Sequence, residues 1–166
     1  MDTLDGNNAN WIEAYRPFFF EEISGITNLE ANQILLCDKS RGMLTEVDLI
    51  SQTETFRKRY DANDYAEVSS ISYYDGQIYS VYRNKVYVAN YRSNSENLKT
   101  KLLTEIPNCG NLAGIAVTQE QIYLITEKQA ILAYNRKTEE IETIGKAQGI
   151  GLDDLCYFQD KLLILE

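Results

Sequence analysis

A repeat limits what this chain can fold into more than any other feature. Four stretches fall into register when stacked: EISGITNLEANQILLCD from Glu22, EVSSISYYDGQIYSVY from Glu67, NLAGIAVTQEQIYLIT from Asn111 and GLDDLCYFQDKLLILE from Gly151. Each holds an aliphatic residue, two small or acidic residues, an aliphatic anchor, and then a second apolar run. The first anchors, Ile26, Ile71, Ile115 and Leu155, lie 45, 44 and 40 residues apart. The second anchors, Ile34, Ile78, Ile122 and Leu162, follow them by 8, 7, 7 and 7 residues.

The period selects the architecture. A helical repeat of this length needs apolar residues spaced at 3.6, whereas these runs are short and rich in Val, Ile and Tyr, which suit a pleated, half-buried surface. Asp75-Gly76 supplies the two positive-φ residues of a tight hairpin. Polar turns DKSRG, RNK and TEKQ separate second from third strands, and TETFRKRY, KTKLLTEI and EIETIG read as outer strands. Four strands per 40 to 45 residues is the pattern of a β-propeller blade. The expected fold is therefore all-β, with four-stranded antiparallel blades over 22–60, 67–106 and 111–145 and two strands of a fourth, about three and a half blades in all. One partial-propeller domain over 1–166 is expected. Residues 1–17 would form an N-terminal extension or a ring-closing segment, with Pro17 marking an irregular or edge entry. A β-sandwich built from the same hairpins stays open, because alternation and turns do not by themselves force radial packing.

Composition narrows the function classes. With 25 acidic against 16 basic residues the formal charge is −9, which opposes binding to a nucleic-acid phosphate backbone or an anionic lipid surface. No basic n-region with an apolar core opens the chain and no apolar run approaches membrane-spanning length, so the expected location is cytoplasmic, with no membrane partner. Cys37, Cys109 and Cys156 are odd in number and far apart, which points to reduced thiols. There is no histidine. That removes imidazole bases and imidazole metal ligands, leaving carboxylates, lysine, tyrosine or a hard cation as the available chemistry. The basic run RKRY at Arg57 reads as a charged outer strand guarding an edge.

FEEISGITNLEANQILLCDKSRGMLTEVDL resembles the first blade of the SdiA-regulated and phytase-like (esterase-like) propellers, and more distantly those of the NHL and gluconolactonase kind. The tail GLDDLCYFQDKLLILE resembles their recurrent Asp-Leu-Glu-Gly-aliphatic strand and the strand after it. The copy departs from that pattern with Asp153-Asp154 for Glu-Gly and Ser69-Ser70 where a glycine is expected. The resemblance implies a propeller whose acidic rim takes a cation that assists phosphoester hydrolysis.

The repeat itself places acids on one rim, since the start of an inner strand lies beside the end of the antiparallel second strand. Glu22, Glu67, Asp153 and Asp154 stand at inner-strand starts, and Asp38 and Glu166 at second-strand ends. Crowded carboxylates either take up protons or bind a hard cation such as Ca²⁺; otherwise they are solvated loop residues or cap strand ends. The expected function is a propeller interaction or ligand-binding module with an acidic rim, not catalytic by itself. The alternative is a calcium-dependent hydrolase of ester or phosphoester bonds. Three and a half blades do not close a ring, so the expected partner is another protein or a second copy of the chain. Its docking edges would be Leu162, Leu163, Ile164 and Leu165 in the last strand and the aromatic run Phe18, Phe19, Phe20 before the first blade.

Overall fold

The computed structural model describes residues 22–30, 32–51, 53–60, 68–92, 97–148 and 154–165. Phe18, Phe19, Phe20, Glu67, Asp153 and Glu166, together with residues 1–17, lie outside them. The described residues form strands and turns with no helix.

Blade 1 is β1 (Ile23–Glu30), β2 (Gln33–Asp38), β3 (Met43–Asp48) and β4 (Thr53–Tyr60). Blade 2 runs β5 (Ser70–Tyr74), β6 (Gln77–Tyr82), β7 (Lys85–Asn90) and β9 (Thr100–Glu105). Its last connection includes a two-residue strand, β8 (Asn97–Leu98). Blade 3 is β10 (Leu112–Val117), β11 (Gln121–Thr126), β12 (Ala130–Asn135) and β13 (Ile141–Lys146), and a half-blade follows in β14 (Asp154–Phe158) and β15 (Lys161–Leu165). Within each blade the strands pair antiparallel in chain order. The inner strands β1, β5, β10 and β14 stand side by side in that order. This radial arrangement is a β-propeller, its ring open among the described residues, and it decides against the sandwich.

Local chemistry explains the blades. Asp75 and Gly76 adopt φ of 47° and 75° and join β5 to β6 through a two-residue turn; Gln159 and Asp160, at 47° and 59°, do the same between β14 and β15. All three full blades shift register between third and outer strand, at Glu46/Val47, Val86/Tyr87 and Ile131/Leu132. Blades 2 and 3 carry the bulge at the same repeat position, opposite Val81/Ser80 and Ile125/Leu124, and blade 1 carries it two residues away, opposite Leu35/Ile34; each bulge adds twist to its blade.

Three cores lie between successive blades. The first holds Leu35, Leu44, Ile71 and Ile78; the second Tyr79, Val81, Ile115 and Ile122; the third Ile125 and Leu155, with Leu162 and Ile164 packed against it. Second-strand residues alternate accordingly. Leu35 and Tyr79 face forward to the next blade, whereas Ile78 and Ile122 face back to the preceding one.

Two features of this packing were not expected. β8 pairs in parallel with β4, Arg59 opposite Asn97, and carries fully buried Leu98 into the first core, so blade 2 clasps the outer edge of blade 1. Lys58, expected on a solvated edge, is only 5% exposed. Its ammonium donates to the carbonyl of Tyr91 and lies 4.7 Å from that residue's ring centroid. The edge is already covered by β8, which leaves the charge needing a partner inside.

Candidate functional site

At the axis the inner strands approach closely. A Cβ on Gly25 would sit 2.9 Å from the Ile71 nitrogen, and one on Gly114 would sit 2.8 Å from both the Asp154 Cα and the Leu155 nitrogen. Glycine at these two positions lets the next blade's backbone pass. The equivalent residues of blade 2 and the half-blade are Ser70 and Asp154. The Ser70 hydroxyl, fully buried, donates to Asp154 Oδ1 at 2.6 Å, tying blade 2 to the half-blade across Gly114. One step along, inner-strand hydroxyls receive the next blade's amides: Tyr73 N donates to Thr27 Oγ1 at 2.9 Å and Val117 N to Ser72 Oγ at 3.2 Å. The third junction has Ala116 at that position and lacks the hydroxyl.

A cleft of about 1240 Å³ is lined by residues of all three blades and of the half-blade. Its apolar walls include Ile23 and Ile26 on one side and Leu163 on the other, and its polar mouth includes Glu22, Lys39 and Arg83.

The sequence-derived acids behave individually. Glu22 is paired with the Lys39 ammonium and accepts the Ser40 hydroxyl at 3.2 Å. The Lys39 hydrogen bond, with Ser40 adding to it, holds its carboxyl below the usual range. That is the reverse of what crowding among carboxylates would do. Asp38 is buried and its Oδ1 accepts the Arg41 amide at 3.3 Å, with Arg41 Nε at 3.9 Å from Oδ2. It caps the β2–β3 turn, as the Thr126 hydroxyl caps β11–β12 by accepting the Ala130 amide at 3.1 Å. Asp154 takes Ser70 and also its neighbour's amide, Leu155 N, at 2.8 Å. Among the described residues no group of three His, Cys, Asp or Glu comes together to hold a metal ion.

The expected docking strand divides as well. Leu162 and Ile164 pack into the third core, while Leu163 points away from it and is 49% exposed. Leu165 pairs with Asp154 through the backbone, and among the described residues no strand pairs with the outer edge of β15.

Rim residues missed in the sequence include Lys39 and Arg83, the latter with its guanidinium carbon 5.1 Å from the Tyr82 ring centroid. They follow the second-strand ends at repeat-equivalent positions, as Glu127 does, where Asn111 donates to both carboxylate oxygens at 3.1 and 3.0 Å. The repeat spacing that located the acids locates these residues too.

Solved structures share this fold at low identity. A structural genomics protein of unknown function from Bacteroides thetaiotaomicron VPI-5482 superposes with a TM-score of 0.60 and 14% identity, over 87% of this chain and 38% of its own. The β-propeller domain of Cps50 (Swd1) from Myceliophteria thermophila gives 0.58 and 15%, over 86% of this chain and 48% of that one. The computationally designed protein Ika4 gives 0.55 and 12%, over 86% of this chain and 84% of its own. The chain therefore spans under half the length of the first two and most of the third, and the likeness establishes the fold alone. No protein-family profile and no curated protein matches the sequence.

Proposed function

We propose that this chain is a propeller module that works by presenting its open sector to a protein partner and performs no chemistry of its own. The observation that carries the reading is a difference in burial at repeat-equivalent positions. Ile71, Ile115 and Leu155 are 2%, 1% and 6% exposed at the three blade junctions, whereas Ile26 is 57% exposed. Ile23 is likewise exposed where its equivalents Val68 and Leu112 are buried. On the half-blade, Leu163 is exposed where its equivalents Leu35 and Tyr79 are buried. These are blade-facing positions with no blade of the described residues against them, and covering large apolar side chains contributes about 1.5–3 kcal/mol each.

The second reading is the calcium-assisted hydrolase implied by the phytase-like resemblance. It requires carboxylates free to hold a cation, and Glu22, Asp38 and Asp154 are each engaged by groups of the chain itself. Calcium titration followed by thermal melting separates the two readings. Millimolar Ca²⁺ is expected to leave the melting temperature unchanged and to elicit no turnover of p-nitrophenyl phosphate. A calcium-dependent rise in melting temperature that Glu22→Ala or Asp154→Ala abolishes would overturn the module reading.

A further inference from the structure

We infer that the partner seated on the open sector is a second copy of this chain, an inference that rests on the bare blade faces being the working surface. Every junction in the molecule sets the forward face of one blade against the back face of the next. Among the described residues one face of each kind is left unmatched. The back face of blade 1 shows Ile23 and Ile26, and the forward face of the half-blade shows Cys156, Phe158 and Leu163, with Phe158 58% exposed. Cys156 and Leu163 are cross-strand partners in β14 and β15, and Phe158 lies two residues further along β14, so the three share one face.

The two faces also match in extent. On blade 1 the exposure is concentrated at the inner strand, since Ile34 in β2 is half-buried and Leu36 is buried. A half-blade of two strands is narrow enough to cover that inner strip. The copy's forward face would then take the place that Leu35 and Tyr79 fill at the internal junctions.

The internal junctions supply a register. Thr27 receives the amide of Tyr73, and Ser72 receives that of Val117. Their repeat equivalents across the new junction are Cys156 of one copy and Asn28 of the other. A twofold axis makes both junctions at once and closes a ring of six full blades and two half-blades, within the range of four to eight that propellers use. Each copy carries a formal charge of −9, so screening by salt favours the pair.

The register is open to a direct test with the full chain carrying Asn28→Cys and Cys109→Ser, oxidised and run on a non-reducing gel. A disulfide-linked dimer that disappears when Cys156→Ser is added is the expected result. Equal cross-linking from Lys137→Cys, on the distant β12–β13 turn, or no dimer band from a variant whose circular dichroism matches the parent, would overturn it. Light scattering on the unmodified chain guards against a variant that does not fold, and a mass of one copy would likewise overturn the inference. Such a result leaves the module reading standing, because that reading falls only to the calcium and turnover measurements.

Discussion

At the scale of single residues, the axis of the molecule depends on what each inner strand offers the next. Thr27 and Ser72 give a hydroxyl to the following blade's amide, and Ala116 does not. Ala116→Ser is therefore expected to stabilise the junction between blade 3 and the half-blade by about 0.5–1.5 kcal/mol, the net contribution of one hydrogen bond, read as a higher urea midpoint at unchanged slope. Ser72→Ala is expected to lower that midpoint by a similar amount or more, because it leaves the Val117 amide without its acceptor. Gly114→Ala tests the close approach of β14. Its new methyl would meet Asp154 and Leu155 backbone at 2.8 Å, and a cost of about 1–3 kcal/mol is expected from forcing the strands apart. Gly145→Ala, whose nearest neighbour would be the flexible end of Ile131 at 3.7 Å, is the control and should change stability little.

At the scale of elements, blades 1 and 2 are joined by more than apolar packing. β8 clasps β4, and beneath it Lys58 donates to the Tyr91 carbonyl while the Tyr91 hydroxyl donates to Glu46, which also accepts Thr55 at 3.3 Å. Burial lowers the Lys58 ammonium below its ordinary 10.5, and burial together with Glu46 raises the Tyr91 phenol above 10. The unfolded chain therefore holds the Lys58 proton more tightly, so this group adds stability as pH rises toward 10.5. Tyr91 acts in the opposite sense, as does Tyr79, whose phenol burial also raises. Their stabilisation is complete below pH 10 and is lost as pH climbs past it. Thermal melts across the alkaline range are expected to show stability holding or rising slightly up to about pH 10 and falling beyond it. In Tyr91→Phe the fall should be shallower. A fall of undiminished steepness would remove Tyr91 from the account.

Much of this level was legible in the sequence. The anchors, the Asp75-Gly76 turn and the outer strands were visible because strand alternation and turn chemistry are local. β8 was not, since two residues within the polar stretch SNSENLKT carry no periodicity. A basic run such as RKRY reads as solvated until a partner from another blade is in place. The rim acids were located by position, but their partners Lys39, Ser70 and Arg41 act through geometry that spacing alone does not show.

At the scale of the whole molecule, the blade junctions among the described residues form a series of three closed interfaces and two bare faces. Ile26→Glu changes a residue already 57% exposed, so it is expected to leave the melting temperature of the isolated chain nearly unchanged while weakening association. Ile71→Glu, the same substitution at a position 2% exposed, is expected to unfold the protein by burying an unpaired charge. Circular dichroism and melting of the two variants side by side measure how far one repeat position differs between a closed junction and an open face. The central claim is that the open sector is completed by a second copy, and the mass of the unmodified chain in solution, by size exclusion with light scattering, tests it most directly. A mass of about twice 19.0 kDa is expected, reverting to one copy in Ile26→Glu. A folded wild-type chain at 19.0 kDa across the concentration range would contradict it.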